Sequence, residues 1–122
     1  MNAFGRSTLL VLILVSAISM ADDQTPMTKE ALAKAVPGST MERTNDSGRV
    51  RNWTNNEDGS ATITRMPRPG GKQGVQKTSG HWSISNDGRY CLTEDWSTKE
   101  GGPVDWCRHV VAGPGGALQF VN

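Results

Sequence analysis

Gly80-His81-Trp82-Ser83-Ile84-Ser85-Asn86-Asp87-Gly88-Arg89-Tyr90-Cys91-Leu92 is the stretch that decides the fold. Trp82 and Ile84 alternate with smaller polar residues, Asn86-Asp87-Gly88 is turn chemistry, and Tyr90 and Leu92 resume the alternation beyond it. A period of two on both sides of a glycine-bearing turn reads as an antiparallel hairpin with one buried face.

Working outward, the same punctuation recurs at Asn45-Asp46-Ser47-Gly48, Asn55-Asn56-Glu57-Asp58-Gly59 and Gly113-Pro114-Gly115-Gly116. Between these turns lie strands expected at 39–44, 49–54, 60–66, 75–84, 89–96, 104–111 and 117–121. Ala61 and Ile63 share a face, as do Val104 and Trp106, and Leu118 and Phe120. Arg49-Val50-Arg51-Asn52-Trp53-Thr54 breaks the pattern, because Val50 and Trp53 point to opposite faces unless a bulge intervenes. Upstream, Thr28 can cap a short helix over Lys29-Glu30-Ala31-Leu32-Ala33-Lys34-Ala35-Val36, stopped by Pro37-Gly38, with Leu32, Ala35 and Val36 on one stripe. The fold class is therefore mainly β: an antiparallel β-meander or a small, partly closed barrel with one short N-terminal helix. Leu32, Val36, Ile63, Trp82, Ile84, Tyr90, Leu92, Trp106, Val110, Leu118 and Phe120 are its expected core. Exposure of Trp82 and Trp106 would disprove this register.

The two cysteines, Cys91 and Cys107, flank a loop from Ser97 to Pro103. Setting them opposite one another as a disulfide places Leu92 against Trp106 on the other face of the hairpin. A redox role lacks the Cys-x-x-Cys spacing. The compartment follows from the start of the chain. Arg6, the apolar run from Leu9 to Ile18 and the small-residue end Ser19-Met20-Ala21 have the layout of a secretory signal peptide over residues 1–21. The run is shorter than the roughly 20 residues that span a bilayer, although a retained signal anchor is the competing reading. Residues 22–27 then form a flexible N-terminus and 28–122 a single β-rich domain, periplasmic or secreted, with no transmembrane segment in the mature chain. Cleavage removes Arg6 and no acid, leaving 12 basic and 12 acidic side chains. A balance of zero gives no general attraction to nucleic acid.

No catalytic set is visible. His81 and His109 could serve a hydrolase or a metal-dependent enzyme, yet neither stands in a ligand motif such as His-Glu-x-x-His, and no Gly-x-Ser-x-Gly elbow is present. No cofactor or metal site is expected. Pro67-Arg68-Pro69-Gly70-Gly71-Lys72-Gln73-Gly74 reads as a mobile loop, and its Arg68 and Lys72 could meet an anion. Trp53 and Trp96 lie beside turns or loops, which makes them, with Arg68 and Lys72, the candidates for surface contact.

The order of a helix, Gly38-Ser39-Thr40, Asp58-Gly59 in a hairpin, Gly80-His81-Trp82, Asp87-Gly88-Arg89-Tyr90-Cys91 and Trp106-Cys107-Arg108 resembles a group of small exported bacterial proteins of unknown function. That group shares a Gly-x-Trp strand followed by two cysteines. The resemblance implies a periplasmic or secreted β-protein and supplies no catalytic residue. Three function classes are weighed: a non-catalytic binding protein of the bacterial envelope that meets an envelope or host protein, a small-ligand carrier with a barrel cavity of roughly 300 Å³ or more, and the histidine-based enzyme. Intact-mass measurement of protein exported by its own host should show Asp22 as the first residue and a loss of two hydrogens. A mass that retains residues 1–21 would establish the anchor instead.

Overall fold

The computed structural model describes residues 25–121, so the expected signal peptide lies outside the described residues. A helix, α1 (Lys29–Ala35), precedes seven strands: β1 (Thr40–Thr44), β2 (Val50–Asn55), β3 (Ser60–Arg65), β4 (Gln76–Ile84), β5 (Tyr90–Glu94), β6 (Val104–Ala112) and β7 (Leu118–Val121). Each strand pairs antiparallel with the next, in the order β1-β2-β3-β4-β5-β6-β7. The sheet curls into a nearly closed barrel. Among the described residues no helix is long and apolar enough to cross a membrane.

Three of the turns, β2–β3, β4–β5 and β6–β7, lie at one end of the barrel, and α1 with its flanking residues is tied to β2, to the β4–β5 turn and to β6. Gly38 N donates to Asn55 O, Lys29 Nζ to Asn86 Oδ1, and Met27 N to Val110 O. Of the segment expected to be flexible, Met27 is thus fastened to β6. Thr28 caps the helix by accepting from Ala31 N at 3.1 Å. Glu30 in the first turn and Lys34 in the last complement its dipole. Leu32 and Val36 are wholly buried, and this contact stabilises a helix too short to persist alone.

The β5–β6 ladder sets Cys91 opposite Cys107 and Leu92 opposite Trp106, and the disulfide is formed. Cross-linking that hairpin contributes about 3 kcal/mol on the chain-entropy estimate. Leu32, Val36, Ile63, Tyr90, Leu92 and Val110 are buried, while Trp82, Ile84, Trp106, Leu118 and Phe120 are partly buried against them. The β2 ladder runs without a bulge: Met41 faces Trp53 and Trp53 faces Ile63. Val50 consequently turns outward, and the inward set on β2 is Arg51, Trp53 and Asn55.

Curvature centres on Gly80. A Cβ there would lie 2.0 Å from Thr93 O and 3.0 Å from the Ile63 side chain. The missing side chain lets β5 approach β4 where the sheet bends over the core. Gly80→Ala should lower stability by at least about 2 kcal/mol in urea denaturation, whereas Ser83→Ala on the exposed face should stay within about 0.5 kcal/mol. Equal effects would place the bend elsewhere.

Candidate functional site

Opposite the helix, the barrel end is built from arginines. Arg51 Nη1 lies 2.7 and 2.9 Å from the two oxygens of Glu94, a residue with no exposed surface. Trp96 Nε1 donates to the same carboxylate at 2.8 Å and Trp106 Nε1 at 2.6 Å. The Arg65 guanidinium lies 4.0 Å over the Trp96 ring and that of Arg43 4.8 Å over the Trp106 ring. Arg65 and Arg49 both donate to Gln76 Oε1. They also bind the loops, through Glu100 O and Met66 O respectively. Burial, and then the neighbouring guanidinium of Arg49, hold Arg65 below the usual arginine pKa.

The middle of the barrel is aromatic. Trp53, Tyr90, Trp106 and Phe120 pack with ring centroids 5.2–6.5 Å apart. Trp53 Nε1 donates to the Tyr90 hydroxyl at 2.9 Å, and that hydroxyl donates to Asn55 Oδ1 at 2.5 Å. Each ring edge that carries a polar atom is thereby satisfied inside the core.

The barrel stops short of closure. No ladder joins β7 to β1, and a groove of about 990 Å³ runs along the seam. Arg43, Leu118 and Phe120 border it above the buried Met41 and Trp53. Thr40, Glu42 and Gln119 stand at the rim, and it extends over Asn52, Thr54, Thr62 and Thr64 on the outer face of β2 and β3. Asn45 N donates to Arg49 O, and Gly113 N to Ala117 O. Alternation from these bonds directs the backbone groups of Thr40, Glu42 and Thr44 on β1, and of Leu118 and Phe120 on β7, into the groove.

These observations correct the surface reading of the tryptophans. Trp53 and Trp96 are each 2% exposed. Trp53 shares the inward face with Met41 and Ile63. Trp96 continues the inward series Tyr90, Leu92, Glu94 and is held by the Glu94 carboxylate. Arg68 and Lys72 are exposed on the loop between β3 and β4 and do not line the seam. His81 is 74% exposed at its side chain and 3.9 Å from Asp95 Oδ2. His109 shares a hollow of about 410 Å³ with Asp87, Arg89 and Arg108. The Asp87 carboxylate there accepts from Ser85 Oγ and pairs with Arg89 at 2.9 Å; no hydrogen bond joins it to the imidazole. Among the described residues no cluster of three or more His, Cys, Asp or Glu could hold a metal ion. Sequence reasoning expected a partly closed barrel but missed Arg43 and did not place the seam between β1 and β7. The count of seven strands was the available signal, since an odd number leaves the first and last running in the same direction.

Fold and site together define a small, disulfide-linked antiparallel barrel with a filled interior and one open seam. The chain belongs to the DUF995 family, described as a protein of unknown function, whose profile matches residues 9–114. No curated protein and no solved structure matches the chain.

Tyr90, the only tyrosine, supplies a test of this interior. Burial raises its pKa and the Glu94 charge adds to that, against the lowering hydrogen bond from Trp53. The folded state thus favours the neutral phenol. Its contribution is complete below the unfolded pKa of about 10 and is lost as the pH rises above that value. Phenolate absorbance should increase only as the protein unfolds, and Tyr90→Phe should cost about 1–3 kcal/mol by stranding the Trp53 N–H and Asn55 Oδ1. A phenolate formed near pH 10 with near-ultraviolet dichroism intact would contradict the buried network.

Proposed function

We propose that this is an exported, non-catalytic binding protein of the bacterial envelope that receives a polypeptide segment of a partner in the seam between β1 and β7. The observation that carries the reading is the seam itself. Two strand edges that pair with no other strand among the described residues face one groove, and such edges are templates for an added strand. Leu118 and the Phe120 ring, both only partly buried, provide an apolar wall of the kind that anchors interfaces.

The disulfide supports an oxidising compartment, as the signal-peptide layout of the sequence does. Against a histidine-based enzyme stand the occupied Asp87 carboxylate and the exposed position of His81. Against a carrier stands the barrel interior, filled by the packed rings rather than left open for a ligand.

A photo-crosslinking amino acid placed at Thr40 or Gln119 on the groove rim, and at Ser83 on the far outer face, tests the reading in the exporting host. One defined protein adduct should form from Thr40 and Gln119 and not from Ser83. Absence of an adduct at both rim positions, or the same adduct from Ser83, would remove the seam as the binding site.

A further inference from the structure

Arg43 stands out within the groove. Among the described residues its guanidinium makes no hydrogen bond and no ion pair; it rests only on the Trp106 ring. Burial, and next the charges of Arg108 and Arg51, lower its pKa. Arg51, its register partner on β2, already has Glu94. The charges of Glu94 and Asp46 act on Arg43 in the opposite sense, but neither forms an ion pair with it. A partly buried cation beside like charges and without a direct acceptor leaves room for an anion from outside the chain.

Topology says how that anion can arrive. Seven antiparallel strands leave β1 and β7 parallel to each other, so a strand antiparallel to both fits between them and completes an eight-stranded up-and-down barrel. Met41 and Arg43 direct their own backbone groups to β2, which makes them non-hydrogen-bonded positions toward an incoming strand. Directly opposed side chains come closest at such positions. The residue opposite Arg43 and the residue opposite Met41 both point into the barrel, two positions apart. Because the incoming strand runs against β1, the partner of Arg43 precedes the partner of Met41 in sequence.

We infer that the seam selects an extended acidic segment in which Asp or Glu lies two residues before a large apolar side chain: the carboxylate meets Arg43, and the apolar group packs over the partly buried Leu118 and Phe120 of β7. This rests on the binding reading above and specifies its partner. Glu42 is not opposed by the same charge, since it lies on the outer face of β1.

A displayed library of random octapeptides, selected on the oxidised full-length protein, tests the inference. Selected peptides should share acidic-x-apolar in that order. A synthetic peptide from the selection should slow hydrogen exchange at the amides of Thr40, Glu42 and Phe120. Arg43→Gln should weaken it roughly ten- to a hundredfold, Arg43→Lys should retain the acidic preference, and Arg43→Glu should turn it to Lys or Arg. Near-ultraviolet dichroism of each variant shows whether the aromatic core is kept. Peptides that protect the same amides without an acidic preference would overturn the inference and leave the seam reading standing. Recovery of no seam-binding peptide, together with failed crosslinking at Thr40 and Gln119, would overturn both. A dimer in sedimentation velocity with these amides already protected would assign the seam to a second copy of the chain and overturn the inference.

Discussion

A carboxylate with no exposed surface fixes the rest of this barrel. Leaving Glu94 in the interior without partners would cost several kcal/mol, so β5 can only sit where donors converge on it. They come from Arg51 of β2, Trp106 of β6 and Trp96 just past β5. The same two indoles carry the neighbouring cations, Arg65 on the face of Trp96 and Arg43 on that of Trp106. An indole offers a polar N–H at its edge and negative density over its face. Each ring therefore stands between an anion and a cation and relieves both. This arrangement lets one buried acid organise several arginines without a second carboxylate in the core.

Sequence legibility followed the chemistry of each strand. Seven strands and a helix were readable because turn residues punctuate them and because β4, β5 and β7 alternate apolar with polar residues. The cysteine register could be read for the same reason, since Leu92 and Trp106 define the opposite face. Reading failed where inward positions are polar. Arg43, Arg51, Asn55, Arg65, Gln76 and Glu94 all share the inner face, so hydropathy gives no sign of which side of β1 and β2 is buried. Trp53 and Trp96 read as surface residues because they lie beside turns or loops, and the polar inner face offers nothing to correct that. Trp53 is held by the hydroxyl of Tyr90, far along the chain, and Trp96 by the nearby Glu94, whose own burial depends on the distant Arg51, and no local period reveals either.

The uneven charge of the chain also finds a physical use. The basic excess lies between residues 41 and 80, and Glu94 belongs to the more acidic remainder. Folding brings the two together as Arg51 against Glu94. The apolar half of the barrel is covered by α1, and the arginine half fastens the β3–β4 and β5–β6 loops through backbone carbonyls. Its two ends thus differ in kind: one closed by hydrophobic burial, the other by guanidinium hydrogen bonds.

The bond from Met27 N to Val110 O has a consequence for how the chain acquires its shape. Every strand pairs with the one before it, so each hairpin can form from local contacts soon after it is made available, the situation in which folding is fast. The helix is different. Its leading edge is held by a strand near the far end of the chain, and it cannot dock until that strand has emerged. Whatever route the chain takes, α1 is made early and settles late, which makes its docking the step that completes the barrel.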